Sequence, residues 1–449
     1  MKSLKISEIV EAVKGKLISG DETLCVSSVC QDSRLAKEGS IFFAIKGDAF
    51  DGHNFISSAK SNGCSAVVLE NIDAIKNIDT TDLSVILVDD TVLALQNLSK
   101  SYLSKLNLKK IAVTGSTGKT STRDMTYYIC KEKYSTQKNQ GNFNTVVGVP
   151  LTIMEFDEDI EVAVIEMGMD RPGEIDTMVD IVRPDIGIIT NIGVSHLENF
   201  DNKREGIFNA KMEITNYFDE SNILIVTDSE EYLNKENIKG DFKLILTGDK
   251  NDDAFVVSDI DQTSDDGVRF KVTYKDESEE FFVPVLGKHN AFNATLAIAA
   301  GRQLGVSFKE AKNGLKKMEL TGKRLAIKKN NDIKVIDDTY NASPDSMKAA
   351  LDILSKTVGN RHVAVLGDMY ELGSNEAEFH KEVGKFAREK ADELFSIGEL
   401  AKEYEADRHF DTVDEFVEAT KDYFKPGDVV LVKASRGMAL EQVVAEILK

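Results

Sequence analysis

The segment Thr114-Gly-Ser-Thr-Gly-Lys-Thr-Ser121 has the residue types, at the spacing, that hold the phosphates of a nucleotide. It follows the apolar run Ile111-Ala-Val113 and opens a helical pattern, so its backbone N–H groups converge on one point at the positive end of a helix. Gly115 and Gly118 permit a close approach of the chain to an anion, with the N–H groups of Ser116 and Thr117 between them. Lys119 is placed to neutralise β- and γ-phosphate charge, the Thr120 hydroxyl to ligate Mg²⁺, and Ser121 to continue the first turn. The usual G-x-x-x-x-G-K spacing asks for glycine at 113, where Val113 stands. The plain alternative is a Gly/Ser turn before a helix; the preceding strand and the Gly-Lys-Thr ending favour phosphate and make ATP the expected ligand.

Further along, Glu166 ends the strand pattern Glu161-Val-Ala-Val-Ile-Glu166, which puts a carboxylate at the edge of a parallel sheet where ligands bind. It suits Mg²⁺ or, equally, a solvated strand end. His196 emerges at the same kind of edge after Asp185-Ile-Gly-Ile-Ile-Thr-Asn191 and Gly193. Lys211, in Asn209-Ala-Lys-Met-Glu213, reads on sequence alone as an exposed helix lysine. Asn290 and Asn293 lie one turn apart at the head of an alanine-rich helix; Asn290 suits a cap and Asn293 base or ribose recognition. The segment Ile336-Asp-Asp-Thr-Tyr-Asn-Ala-Ser-Pro-Asp-Ser346 is crowded with hydrogen-bonding groups, Asp338, Asn341 and Ser343 among them, and Pro344 suits the first turn of a following helix. Lys323-Arg324 is a guanidinium and ammonium pair suited to a γ-phosphate or, more plainly, to an exposed hinge.

Positioning these groups requires a repeated strand-and-helix frame. Residues 1–83 mix short strands, including Ile41–Ile45 and Ala66–Leu69, with brief helices. From 84 to 314 the runs at 111–114, 162–165, 186–189 and 223–226 alternate with helical stretches, the pattern of a parallel sheet with helices on both faces. Between 254 and 285 strict alternation puts Val268, Phe270, Val272 and Tyr274 on one face and predicts an antiparallel appendage. Residues 315–449 repeat the rhythm at 334–336, 362–366, 394–397 and 429–432, a Rossmann-like domain. The chain is therefore read as an α/β protein of three domains, 1–83, 84–314 and 315–449. Its 449 residues suffice for that many cores, since a domain takes ~150 residues.

With 55 basic against 76 acidic residues the net charge is −21, which argues against nucleic acid and anionic membranes as partners and requires a focused basic site for an anionic substrate. Cys25, Cys30, Cys64 and Cys130 form no C-x-x-C pair and are expected as reduced, buried thiols. No apolar run is long enough for a membrane span, and the start Met1-Lys-Ser-Leu-Lys lacks a signal-peptide core, so a cytoplasmic protein without membrane insertion is expected.

In this order, the Gly-Lys-Thr loop, the Glu166-Met-Gly168 strand end, Asn191-Ile-Gly-Val-Ser-His196 and His289-Asn-Ala-Phe-Asn293 resemble the Mur ligases of bacterial cell-wall synthesis, over essentially the whole chain. The family shares the shortened glycine loop, so Val113 fits the resemblance. Asp338 to Met347, Val365-Leu-Gly-Asp-Met-Tyr-Glu-Leu-Gly373 and Lys433-Ala-Ser-Arg-Gly-Met438 look like the members that add D-alanyl-D-alanine. The Asp-Asn-Pro-Arg signature of members that add the third residue is absent. Asp32-Ser-Arg34, Phe42 to Gly47 and Phe50 to Phe55 are similar to the family's UDP-binding domain. The resemblance implies an ATP-dependent amide ligase that joins D-alanyl-D-alanine to UDP-N-acetylmuramoyl-tripeptide through an acyl phosphate, as a monomer. It implies UDP contacts from Ser33, Arg34 and Lys46; adenine contact from Asn290 or Asn293; Arg324 on the γ-phosphate; and Asp338 on the ribose. It also implies two Mg²⁺ ions held by Thr120, Glu166, His196 and a carbamylated Lys211, with Lys119, Lys211, His196 and Arg324 catalytic. The last domain, with Asn341 and Ser343, would bind the incoming dipeptide. A folate polyglutamylating ligase is disfavoured by the UDP-type motif, and a nucleotide switch explains neither outer domain.

Overall fold

The computed structural model describes residues 1–47, 50–228, 230–250, 254–262, 266–319 and 326–449. Its contacts fall into two units: residues 1–112, 134–169 and 174–185, and residues 113–133, 170–173 and 186–449.

In the first unit a sheet of five strands runs in the order Lys16–Ser19, Ser84–Leu87, Ala66–Leu69, Ser40–Phe43, Ser28–Cys30. All neighbours are parallel except the first pair. Ser40–Phe43 and Ala66–Leu69 are buried on both faces, which is why they read as continuous apolar runs. Asp90 caps the helix Thr91–Leu103 by accepting from the Leu93 N–H at 2.8 Å, and Ala94, Leu95, Leu98 and Tyr102 form its buried stripe. The strand Val162–Glu166 pairs in parallel with Thr136–Lys138.

The second unit opens on the end of the strand Lys109–Thr114, whose Thr114 carbonyl accepts from the Thr190 N–H at 3.0 Å. The strands Ile186–Ile189, Ile223–Thr227, Lys243–Gly248 and Phe255–Asp261 follow in parallel. Val268–Tyr274 and Glu277–Val283 then continue the same sheet in antiparallel register and end at an edge strand. The alternating segment is thus an extension of the sheet, not an appendage. Its first strand pairs with Lys243–Gly248 through Thr247 and Gly248, a junction that periodicity does not reveal. The helices Lys119–Lys131, His289–Gln303 and Phe308–Lys316 pack together beside it. His289–Gln303 is buried nearly all round, as its alanines allow.

The C-terminal sheet of six strands runs Ala326–Asn330, Ile333–Asp337, Asp428–Lys433, Arg361–Gly367, Glu393–Ile397, Arg408–Phe410, parallel except for the first hairpin. Alternate residues fill two cores. Ile336, Leu366 and Leu431 pack under the helices Pro344–Lys356 and Glu376–Lys390, while Val335, Val365 and Val432 face Val413–Ala419 and Glu441–Ile447. Cys30, Cys64 and Cys130 are buried thiols as expected; Cys25 is exposed, because in the short strand Cys25–Val26 the inward position goes to Val26. Among the described residues no helix is long and apolar enough to cross a membrane.

Candidate functional site

The loop after Thr114 is held in place by the strand end beside it. Gly115 has φ +147°, and a Cβ there would overlap the Thr190 hydroxyl, so the position requires glycine. Ser116 N–H donates to the Asn191 carbonyl at 3.1 Å, and Thr117 N–H to Asn191 Oδ1 at 2.9 Å. Asn191 Nδ2 donates back to Thr117 Oγ1 at 2.8 Å, and the Thr190 hydroxyl to the Thr117 carbonyl at 2.5 Å. Ser116 Oγ accepts from the Gly193 N–H at 2.8 Å. Gly118, at φ +77°, precedes the helix Lys119–Lys131. A Cβ at 118 would lie 2.9 Å from Asn293 Oδ1, so the Asn293 carboxamide rests against the loop's last turn. Lys119 Nζ arches back to the Gly115 and Ser116 carbonyls at 2.8 and 3.2 Å, Thr120 is buried, and Ser121 is half-buried. The Ser116 and Thr117 N–H groups, which the sequence offered to phosphate, are thus spent on Asn191, and the first turn of the helix Lys119–Lys131 is the part of the loop suited to an anion.

Lys211 is 3% exposed, against the sequence reading of a surface lysine. Burial drives its ammonium pKa well below the ordinary value, and the nearby Lys119 charge adds to the effect. Helical spacing does put Lys211 four residues after Ile207 and next to Ala210 on the buried face of Arg204–Met212; the residue type, usually exposed, masked that signal. His196, at φ 62°, holds Nδ1 2.7 Å from Glu371 Oε2 and 3.0 Å from Asp170 Oδ1. The imidazole keeps the Glu371 carboxyl below its ordinary pKa. In the first unit, Glu166 is buried; its Oε1 accepts from Asn144 Nδ2 at 2.8 Å, and Asn139 bonds both its N–H and its carbonyl at 2.9 Å. Asn139 and Asn144 are positioning groups that the sequence reading missed.

Asn290 is committed to structure on both sides: its Nδ2 donates to the Leu286 carbonyl at 2.7 Å and its Oδ1 accepts from Asn293 at 3.2 Å. Asp338, Asn341 and Ser343 lie at the carboxyl edge of the C-terminal sheet, where α/β proteins bind ligands. Lys433 donates to Asp338 Oδ2 at 2.5 Å and to the Asn341 carbonyl at 2.7 Å. His289 is exposed at the head of the helix His289–Gln303. Asp345, beside Gly193, lies 2.9 Å from where a Cβ at 193 would stand. The second unit therefore gathers Thr114 to Ser121, His196, Lys211, Asn290, Asn293, Asp338, Asn341 and Ser343. In the first unit Ser33 is buried and accepts from Asn62 through its carbonyl at 2.8 Å, Arg34 pairs with Asp32 at 2.6 Å, and Lys46 is exposed. Lys323 and Arg324 lie outside the described residues.

Among the described residues no three His, Cys, Asp or Glu side chains stand together as a metal cage. The Thr120 hydroxyl and the Glu166 carboxylate are oxygen donors of the kind that Mg²⁺ takes, one or two from protein with the rest from phosphate and water.

Three family models match the chain: the Mur ligase family catalytic domain over residues 26–103, the Mur ligase middle domain over 113–301, and the Mur ligase glutamate ligase domain over 323–436. A Bacillus subtilis protein named UDP-N-acetylmuramoyl-tripeptide–D-alanyl-D-alanine ligase is 40% identical across 99% of this chain and 98% of its own. The Escherichia coli protein of that name is 32% identical across 99% and 98%. A crystal structure of MurF from Acinetobacter baumannii superposes with TM-score 0.91 at 30% identity, covering 100% of this chain and 99% of that one. MurF ligase from Thermotoga maritima, solved in complex with ADP, gives 0.83 at 28% identity over 94% and 97%. With its nucleotide loop, buried lysine and strand-edge carboxylate in the family's order, and relatives matching it from end to end, the chain belongs to the Mur ligase family.

Proposed function

We propose that this chain joins D-alanyl-D-alanine to UDP-N-acetylmuramoyl-tripeptide with ATP as the energy source, the reaction for which its full-length relatives are named. The observation that carries the reading is Lys211: a buried lysine beside Lys119 of the phosphate loop, its ammonium pKa driven well down by burial. A neutral amine can add CO₂ and release a proton, becoming a carbamate anion, and we read Lys211 as modified in this way.

A carboxylate does not acylate an amine directly, because its oxygen leaves poorly. The terminal carboxylate of the tripeptide therefore attacks the γ-phosphorus and ADP departs. The dipeptide amine then adds to the carbonyl of the acyl phosphate, and the tetrahedral intermediate collapses with loss of phosphate while the amine gives up its proton. Lys119 and Arg324 would balance charge on the phosphoryl group, and the N–H groups of the first turn of the helix Lys119–Lys131 would fix it in line. Mg²⁺, when bound, supplies positive charge for the phosphate oxygens; Thr120, Glu166, His196 and the Lys211 carbamate are the residues that would hold it, as two ions. Asn293, against Gly118, supports contact with the nucleotide base better than Asn290, whose amide is already bonded on both sides. Asp338 would take the ribose, Asn341 and Ser343 the dipeptide, and Ser33, Arg34 and Lys46 the UDP moiety. We assign the three functions to domains 1–83, 84–314 and 315–449, acting as a cytoplasmic monomer. Phosphate release measured with each tripeptide precursor, with and without D-alanyl-D-alanine, tests the assignment. Release should require both substrates; release that needs neither would eliminate it.

A further inference from the structure

Lys433 ends the strand Asp428–Lys433 in the middle of the C-terminal sheet, and its side chain is 2% exposed. An ammonium so placed is costly unless its donors are used, and a buried ion pair rarely repays its desolvation in stability. An apolar side chain would fill the same space, so the charge calls for another reason. Lys433 Nζ bonds two ends of one turn, Asp338 Oδ2 at 2.5 Å and the Asn341 carbonyl at 2.7 Å. The chain just after it ties that turn to the neighbouring loop. Ser435 N–H donates to the Asp368 carbonyl at 2.9 Å, Ser435 Oγ accepts from the Tyr370 N–H at 2.9 Å, and the Arg436 guanidinium lies over the Tyr340 ring at 5.3 Å. The next residue of that loop is Glu371, in contact with His196.

We propose that Lys433 is a positioning residue for both the nucleotide and the incoming dipeptide. By holding one oxygen of Asp338 it leaves the other for a ribose hydroxyl. By holding the Asn341 carbonyl it fixes the turn that presents Asn341 and Ser343 to the dipeptide. The idea rests on the ligase reading above and adds a residue through which the two substrates share one support.

The test varies ATP, D-alanyl-D-alanine and the UDP precursor separately in Lys433→Met and Lys433→Arg, alongside thermal melting and binding of a fluorescent ATP analogue, which needs no turnover. Lys433→Met should raise KM for ATP and for the dipeptide by about tenfold or more, the range for a lost charged hydrogen bond, and leave KM for the UDP precursor within about twofold. Lys433→Arg, which keeps the charge, should return the ATP value to within about threefold of the parent. Should Lys433→Met fail to fold, Asp338→Asn/Lys433→Met leaves no unpaired buried carboxylate and should match Asp338→Asn alone in nucleotide affinity. Values within twofold for both ATP and dipeptide, an equal rise in all three constants, or additive effects in the double variant would overturn the proposal. A parent enzyme whose phosphate release ignores both substrates removes the ligase reading, whereas analogue affinity unchanged by Lys433→Met removes the positioning role.

Discussion

Replacing Gly115 by alanine should cripple nucleotide binding while sparing the fold. A Cβ on residue 115 would overlap the Thr190 hydroxyl and lie 3.0 Å from Thr190 Cβ and 3.1 Å from its backbone nitrogen. The hydroxyl must then rotate away, giving up its bond to the Thr117 carbonyl, a loss of about 1 kcal/mol. The φ of +147° is a conformation that L side chains resist, at about 1–3 kcal/mol. Together they disfavour the phosphate-ready loop by about 2–4 kcal/mol, and apparent affinity falls by the population lost, roughly thirtyfold to several hundredfold. The assay is KM for ATP in the phosphate-release reaction, with thermal melting as the control for folding. Thr190→Ala on the same background removes the overlap but not the backbone strain, so it should recover only part of the loss. If Gly115→Ala binds ATP within about twofold of the parent, the loop is not held as described.

Lys211→Met should lower kcat by at least about a hundredfold with no loss of melting temperature, since it removes a buried amine and keeps the volume; an active variant would refute the carbamate reading, as would the lack of a carbon-13 carbamate signal on Lys211 of the parent in labelled bicarbonate. Arg361 holds the buried Asp428 carboxylate through contacts of 2.5 and 3.1 Å; Arg361→Met should destabilise the protein by about 2–3 kcal/mol in urea unfolding, most of it regained in Arg361→Met/Asp428→Asn.

The phosphate loop was legible because its chemistry is local: strand, glycines, lysine and helix start are contiguous, and the backbone alone builds the site. The C-terminal strands were legible because residues such as Val429 to Val432 are buried on both faces of a parallel sheet. Lys211 was not, since a lysine is rarely buried and its place on the face of Ile207 and Ala210 was outweighed by its type. Lys433 shows the same limit. Its partner Asp338 is 95 residues away, and the one hint, a lysine closing a fully buried strand, says that a partner exists without saying which. Asn139 and Asn144 escaped because an asparagine in a turn has an adequate local explanation; their bonds to Glu166 span 27 and 22 residues. The alternation at 268–274 gave the strand and its buried face, but alternation carries no information about which strand lies alongside.

The antiparallel extension has a bearing on how concentrated this protein can be. Among the described residues Glu277–Val283 is the last strand of its sheet, and an edge strand offers N–H and carbonyl groups to any other strand that drifts past. Its first half bears Glu277, Glu279 and Glu280, with Arg302 and Lys312 engaging the first two from the helices behind. A second copy approaching edge to edge would bring like charges into register, which disfavours the pairing. The strand's acidity thus acts as a guard against self-templated aggregation, and apolar or amide replacements there would be felt in solubility before they were felt in catalysis.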